Sequence, residues 1–265
     1  MTIYEVTKME KLLAHPQFIN WSIASIHHYA RRNKMVISSL STWYKYNRLM
    51  KWRKTRFRQK KKNLNPLIAN KPNQYWHMDI TVFRTKQGDK FYIQTLIDNY
   101  SRKVLGWNVS DHIRGKDSVL VIKQAIQKVV KYYPNFSSNL IVDGGIENHN
   151  HAVEKFLSNH PIIKLTALKD IASSNSMIEA NNKHIKYNCL YKKQIITKKD
   201  LINALEALFE EDNAIRPHHA LNGLTPDEVY IEKKNPALAY FDELLSQARL
   251  ERMQINRDSP CRLCS

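Results

Sequence analysis

The chain has 265 residues, 43% of them hydrophobic, which is enough for a sizeable core and typical of a globular protein. Its formal net charge of +18 indicates a polyanionic partner. Nucleic acid is the first candidate, because Lys and Arg neutralise phosphates with release of counterions. No apolar run approaches the ~20 residues that cross a bilayer, and no signal-peptide core opens the sequence, so we exclude a membrane protein and expect a cytoplasmic, nucleoid-associated one.

The three cysteines are too few for a disulfide framework, which favours a reducing compartment. Cys189 is isolated, and Cys261-x-x-Cys264 lies at the end of the chain. With no second pair and no His-x-x-x-His nearby, these two residues lack the further ligands of a structural zinc site.

Two short helices are predicted near the N-terminus. Apolar residues recur at helical spacing over Trp21–Arg31 and Leu40–Met50, and Ser38 or Ser39 can cap the second helix. The second helix is typical of the recognition half of a helix-turn-helix. We therefore predict a helix-turn-helix-like DNA-binding segment over residues 1–62.

The predicted second helix runs into a basic stretch that ends at Lys62 and is interrupted by Trp52 and Phe57. Aromatic rings among cations suit a nucleic-acid strand or groove. A solvated basic face on a helical hairpin is the alternative. The predicted DNA contacts in this stretch are Lys51, Arg53, Lys54, Arg56 and Arg58.

Pro66 and Pro72 mark residues 63–72 as a linker, after which a second domain begins. Strict alternation over Tyr75–Phe83 predicts a strand with Asp79 in its middle. A turn at Gly88 leads into further strands at 91–97 and 104–109, which completes an antiparallel meander.

Beyond the meander, helices and buried strands alternate. Helical spacing covers Gly115–Tyr133, and the wholly apolar Leu140–Val142 is typical of a buried strand that ends at Asp143. A helix at 151–157, a strand at 162–165 and an amphipathic helix at 201–211 follow. The pattern predicts an α/β domain with a mixed sheet and carboxylates at its carboxyl edge.

A helix is predicted over Ser174–Tyr187, and Glu179, Lys183 and Lys186 share one edge of it at i, i+4 and i+7. Two structural roles for Glu179 compete with a catalytic one. The glutamate fits a capping box with Ser176, and its position four residues before Lys183 favours a helical ion pair.

Asp79, Asp143 and Glu179 form the only candidate catalytic set in the sequence. A carboxylate in mid-strand is costly unless it is paired or binds a cation. Mg²⁺ prefers oxygen ligands, and two ions held by such a set suit phosphodiester chemistry. Mn²⁺ is expected to substitute. Asp98 is a rival carboxylate, for which we favour a turn-capping or Arg-pairing role.

With these residues in place, the chain resembles the integrase-like (Asp-Asp-Glu) transposases of bacterial insertion sequences, relatives of retroviral integrases. The resemblance extends from about Trp21 to Tyr230. The motifs that carry it are Trp76-His-Met-Asp79, Asp98-Asn-Tyr-Ser-Arg-Lys-Val-Leu-Gly-Trp107, Asp143-Gly-Gly-Ile-Glu-Asn148, Asn175-Ser-Met-Ile-Glu179 and Arg216-Pro-His-His-Ala-Leu-Asn-Gly-Leu-Thr-Pro-Asp227.

The resemblance implies an RNase H-like catalytic core over residues 73–232, preceded by the helical segment and followed by a tail at 233–265. It makes Asp79, Asp143 and Glu179 the metal ligands and matches Lys183 and Lys186 to lysines that contact the element's end. It also implies double-stranded DNA, both element ends and target, as substrate, and a homo-oligomer as the active complex.

The expected function is metal-dependent strand cleavage at element ends followed by strand transfer into target DNA. Two alternatives remain at this point. One is a catalytically silent DNA-binding repressor derived from a transposase, against which the presence of all three carboxylates argues. The other is an RNase H-like nuclease that cuts without joining, against which the upstream helix-turn-helix argues.

Overall fold

The computed structural model describes residues 1–54, 67–143, 150–167, 176–233 and 240–258. It divides into two compact units. The helical unit comprises the described residues of Met1–Lys60, Arg216–Thr225 and Lys233–Ser265, and the sheet unit comprises those of Lys61–Ile215 and Pro226–Glu232. The predicted domain boundaries after residues 62, 72 and 232 remain predictions. The division into units follows other bounds, since it assigns Arg216–Thr225 to the helical unit.

Three helices form the core of the helical unit: α1 (Ile3–Ala14), α2 (Ile23–Arg32) and α3 (Leu40–Met50). The two predicted helices correspond to α2 and α3, and Ser39 caps α3 by accepting a hydrogen bond from the Thr42 N–H. Their buried side chains make one apolar cluster around the fully buried Trp43.

The first helix was not predicted, although its signal is present in the sequence. Thr2 and Glu5 form a reciprocal capping box at the start of α1, in which each side chain accepts a hydrogen bond from the other residue's backbone N–H. A further helix, α9 (Phe241–Asp258), belongs to the same unit and is fastened to α1 by an ion pair between Arg252 and Glu5.

A five-stranded mixed sheet organises the other unit, in the order β3-β2-β1-β4-β5. The predicted meander is β1 (Tyr75–Arg84), β2 (Lys90–Asp98) and β3 (Val104–Ser110), paired antiparallel. The other two strands, β4 (Ser138–Val142) and β5 (Ile162–Thr166), add in parallel beside β1. These pairings confirm the predicted α/β class and mixed sheet.

Helices cover both faces of this sheet. The apolar side chains of α4 (Gly115–Val130) and α5 (His151–Leu157) pack with Trp76 and Met78 on one face. On the other face, α6 (Ser176–His184) and α7 (Lys198–Glu210) pack with residues such as Phe83. The last helix of the unit, α8, is Pro226–Tyr230.

Two π-helical segments interrupt the second helical layer. The first continues α6 over Ile185–Cys189, and the second continues α7 over Glu211–Ile215. π-turns inside helices are rare and are found mostly at functional sites. Among the described residues, no helix is both long and apolar enough to span a membrane.

Candidate active site

Asp79 lies in the middle of the central strand β1, on the face that α6 covers. It alternates with Trp76 and Met78, which face α4, and shares its face with Phe83. Its side chain is half-buried, and its Oδ1 accepts a 2.8 Å hydrogen bond from the Ile80 N–H. The strand therefore presents this carboxylate between the sheet and α6.

Asp143 directly follows β4, the parallel neighbour of β1. The register pairs His77 with Ile141 as the last aligned residues of the two strands. That register, continued by two residues beyond the last aligned pair, predicts Asp143 level with Asp79 and on the same face, with neighbouring strands about 4.8 Å apart. The convergence of these two carboxylates stays a prediction, which the register supports.

Glu179 is carried by α6, and its neighbours fasten that helix to the sheet beside Asp79. The Asn182 side-chain amide donates a 2.8 Å hydrogen bond to Asp79 Oδ2, and the Asn181 amide lies 3.5 Å from the Thr95 hydroxyl. Thr95 is the cross-strand partner of Asp79. Since Glu179 precedes Asn182 by three residues, it lies one helical turn from the contact with Asp79.

Sequence reasoning missed Asn182 as a site residue. Asn182 shares a helical stripe with Ile178, Ile185 and Cys189, and all four side chains are buried. The available signal was a polar amide within an otherwise apolar stripe, because a buried amide requires a hydrogen-bonding partner. That partner is the carboxylate of Asp79.

Of the two structural explanations for Glu179, the helical ion pair finds no support in this fold. The capping box with Ser176 stays a prediction, because the Ser176 side chain lies outside the described residues. Glu179 and Lys183 are both exposed. Within the described part of the chain, no ion pair joins them. The glutamate thus remains available for another role.

The three carboxylates offer only oxygen donors, which suits Mg²⁺ or Mn²⁺. The buried Oδ1 of Asn182, beside Asp79, has no hydrogen-bond partner among the described residues, and it adds a fourth oxygen. The donor chemistry therefore fits a hard cation. Across those same residues, however, no three His, Cys, Asp or Glu side chains are already grouped to hold a metal.

Asp98 is excluded from this set by its burial. Its Oδ2 accepts hydrogen bonds from the Ser101 N–H and hydroxyl at 2.8 and 2.6 Å, and its Oδ1 accepts one from the Asn73 N–H at 2.8 Å. The side chain is fully buried, and burial raises the pKa of its carboxyl. Asp98 therefore caps the turn after β2, as we predicted.

The predicted DNA contacts fall into three groups. Lys183, Lys51 and Lys54 are exposed, and Lys186 is half-buried at the start of the π-helical segment. Arg53 instead donates hydrogen bonds to the backbone carbonyls of Leu13, Trp21 and Phe18, so three of its five donors serve the helical unit. Arg56 and Arg58 lie outside the described residues.

Comparison with protein families gives two matches, both to models described as "Integrase core domain". One matches residues 69–164 and the other matches residues 171–226. Together they account for more than half of the 265 residues. Both matches contain carboxylates of the candidate set, since Asp79 and Asp143 fall in the first and Glu179 in the second.

Among curated proteins, the chain is similar to the transposase InsF for insertion sequence IS3A of Escherichia coli strain K12. The two are 27% identical over 172 residues, which are 64% of this chain and 57% of the relative's length. An uncharacterized transposase-like protein of Haemophilus influenzae is 23% identical over 158 residues, 60% of this chain and 71% of that protein. The chain thus spans little more than half the length of InsF.

Among solved structures, the fold is similar to a chain of the simian T-cell lymphotropic virus intasome in complex with the PP2A regulatory subunit B56 gamma. The TM-score is 0.53 at 15% identity, over 81% of this chain and 76% of that chain. The HTLV-2 integrase catalytic core domain in complex with magnesium matches with a TM-score of 0.48 at 17% identity, over 61% of this chain and 99% of that one. The first likeness shows that the sheet unit has the RNase H-like integrase fold.

Proposed function

Because the chain belongs to the integrase core domain family, we propose that it is the transposase of a bacterial insertion sequence, which cleaves DNA at the element's ends and joins the freed ends to target DNA. One observation carries the proposal. The β1–β4 register and the Asn182–Asp79 hydrogen bond support a site that Asp79, Asp143 and Glu179 would form on one face of the sheet.

In the first step, the oxygen of a water molecule bonds to the phosphorus at the element's end while the bond to the 3′ oxygen breaks. The leaving oxygen takes up a proton and becomes a 3′-hydroxyl. In the second step, that hydroxyl attacks a target phosphodiester, forms a new bond to phosphorus and displaces a target 3′ oxygen. One phosphodiester is made for each one broken, so strand transfer needs no external energy source.

Asp79, Asp143 and Glu179 would hold the divalent cations. When bound, two such ions lower the pKa of the attacking hydroxyl and stabilise the leaving oxygen. The protein would position the metal ligands through two elements. Strand β1 carries Asp79, and the hydrogen bond from Asn182 to Asp79 keeps α6 against that strand. The exposed cations, Lys183 on α6 and Lys51 and Lys54 after α3, would neutralise phosphates of the bound DNA.

The active complex is proposed to be a homo-oligomer, because transposition must hold two element ends together. The charge of +18 agrees with a large phosphate-contacting surface.

The helix-turn-helix-like segment would add DNA binding to that of the catalytic core. The Ser41, Tyr44, Lys45 and Arg48 side chains form an exposed or half-exposed polar face on α3 that suits this role.

The proposal is tested by nicking and joining of a supercoiled plasmid that carries the element's ends, with Mg²⁺ or Mn²⁺. The wild-type protein is compared with Asp143→Asn and Glu179→Gln at equal DNA occupancy. We expect metal-dependent nicks and joined products with the wild type, and loss of both in each variant with DNA affinity nearly unchanged. Nicking without joining would support the nuclease alternative, and binding without chemistry would support the repressor.

A further inference from the structure

Two exposed tyrosines extend the stripe of α6 that begins at Glu179. Lys183, Tyr187 and Tyr191 follow the glutamate at successive four-residue steps, and all four side chains are exposed. Tyr187 and Tyr191 each expose 56% of their surface. Their ring centroids lie 5.2 Å apart in a T-shaped arrangement. We call these two residues the tyrosine pair.

The π-helical segment changes the direction of Tyr187 relative to Glu179, and Tyr191 follows in a 3-10 turn over Leu190–Lys192. In a continuous α-helix a four-residue stripe drifts around the axis by about 40° at each step. A π-helix has more residues per turn, so each residue turns less and the drift is reduced over Ile185–Cys189. The insertion therefore brings Tyr187 back toward the edge occupied by Glu179 and Lys183.

The tyrosine pair also packs on the core of the sheet unit through Tyr191. The Tyr191 ring centroid lies 6.1 Å from that of Phe83, which is 5% exposed and belongs to the same core cluster as Ile178 and Ile185. Two adjacent exposed rings present a flat apolar surface with a polar edge, which is suited to an aromatic ligand. Lys183, Lys186, Lys192 and Lys193 flank the two tyrosines in the sequence.

We infer that the tyrosine pair stacks on an unpaired nucleobase of the DNA strand whose phosphodiester is cut. The inference rests on the proposed function, because it takes DNA as the substrate. More than half of each tyrosine side chain is exposed, and every base has a π-face that can stack on such a ring. Bases inside a duplex are already stacked, so an unpaired base at or near the cut position is the ligand that fits.

The flanking lysines favour DNA over a second protein as the occupant. Their charges suit the phosphates on either side of the stacked base, and cations interleaved with aromatic rings form the usual surface for single-stranded nucleic acid. A base held at Tyr187, two four-residue steps from Glu179, would fix the position of the strand relative to the carboxylates. The tyrosine pair would thus position the substrate and take no part in bond making.

The test measures binding without metal, so that it does not depend on catalysis. Two duplexes of the same sequence are compared, one fully paired and one with three unpaired nucleotides at an end, with 2-aminopurine in the unpaired end. The wild-type protein should bind the unpaired end more tightly and quench the fluorophore by stacking. Tyr187→Ala should weaken binding to the unpaired end by about 5- to 100-fold, the range expected when one base loses its stacking partner.

Three matched variants sharpen the test. Tyr187→Phe keeps the ring and should retain binding and quenching, while Tyr187→Leu keeps apolar surface and should lose the quenching. Tyr4→Ala removes a tyrosine that is 70% exposed in the helical unit and should change neither. Because stacking carries no charge, Tyr187→Ala should leave the slope of log affinity against log salt unchanged.

Equal affinity of the wild type for the two duplexes, or unchanged quenching in folded Tyr187→Ala protein, would overturn the inference. A thermal melt establishes folding, and Tyr191→Ala provides a second variant if Tyr187→Ala unfolds. Such a result would leave the proposed function intact, because plasmid nicking and joining test that function separately. Conversely, inactivity in the plasmid assay would not alter the expected preference for the unpaired end.

Discussion

The Asn182 amide donates its hydrogen bond to Asp79 Oδ2 over 2.8 Å and thereby joins α6 to the central strand beside the candidate metal ligands. The amide is buried, and its remaining oxygen has no hydrogen-bond partner in the described part of the chain. A neutral amide at this position satisfies the carboxylate without adding charge. Asp79 therefore gains a hydrogen bond from Asn182, and its negative charge is left for a cation to balance.

Asn182→Asp should make the stability of the protein depend strongly on divalent metal. A second carboxylate at hydrogen-bond distance from Asp79 repels it, and a bound cation relieves that repulsion. We expect a lower melting temperature than wild type in EDTA and a larger increase on addition of Mg²⁺. Asn182→Ala removes the amide without adding charge and serves as the control. An equal metal-dependent increase in all three proteins would contradict the placement of a cation beside Asp79.

Asp98→Asn should destabilise the sheet unit without removing a metal ligand. The carboxylate accepts three hydrogen bonds from Asn73 and Ser101, and an amide would turn an N–H₂ group toward one set of donors. The expected loss is about 2 kcal/mol or more in the free energy of unfolding, measured by urea titration. Asp89→Asn, at an exposed turn, is the matched control and should change stability by less than about 0.5 kcal/mol.

Periodicity predicted most of the strands and helices, because burial on one face imposes the alternation of β1 and the spacing of α4. Asp143 could be placed at the carboxyl edge because it directly follows a buried strand, and Asp79 could be placed in mid-strand from the alternation of β1. The π-helical segments could not be predicted, since no local propensity distinguishes them from an α-helix. The direction of Tyr187, which lies within the first of these segments, could therefore not be predicted either.

The sequence also could not show which cationic side chains of the basic stretch bind the protein itself and which are exposed. Arg53 and Lys54 are adjacent members of one basic stretch, yet Arg53 folds back onto three carbonyls while Lys54 is exposed. Which cation of a basic stretch turns inward depends on where accepting carbonyls lie in three dimensions. The carbonyls of Leu13, Phe18 and Trp21 come together only in the folded helical unit.

Replacement of Arg53 should therefore affect folding more than DNA affinity. Burial lowers the pKa of its guanidinium, yet the group stays charged and stabilises three carbonyls. Arg53→Lys cannot reproduce the three-way contact and should lower the free energy of unfolding by about 1–3 kcal/mol. Lys54→Gln should leave stability unchanged and weaken DNA binding. The reverse pattern, a stable Arg53→Lys protein with reduced DNA affinity, would indicate that Arg53 contacts DNA.

His28 should make the helical unit sensitive to acid. Burial, with the nearby His27, Arg31, His219 and Arg32, lowers the pKa of His28 from 6.5 to about 3, and its Nε2 shares a 3.1 Å hydrogen bond with His219 Nδ1. Between these two pKa values the unfolded chain binds a proton that the folded chain excludes. The contribution is therefore fully present above pH 6.5 and is lost as the pH falls.

At pH 5 the loss amounts to about 2 kcal/mol relative to neutral pH. Urea unfolding at pH 7 and pH 5 measures it. His28→Gln cannot take up the proton and should show a smaller decrease between the two pH values than wild type. His112→Gln, at an exposed position, should behave as wild type. The same pH dependence in the wild type and His28→Gln would assign the acid sensitivity to other groups.

Lys183→Gln and Lys186→Gln should reduce the salt dependence of DNA binding by roughly one unit of slope for each phosphate that is no longer neutralised. Lys183 is exposed beside Glu179, and among the described residues it has no ion-pairing partner, so its charge is available to a phosphate. Lys198 is the matched control, because it already pairs with Asp111 at 2.7 Å and should contribute little to binding. Affinity measured from about 50 to 200 mM salt gives the slopes. If Lys198→Gln lowered the slope as much as Lys183→Gln, the effect would reflect overall charge and not an interaction made by α6.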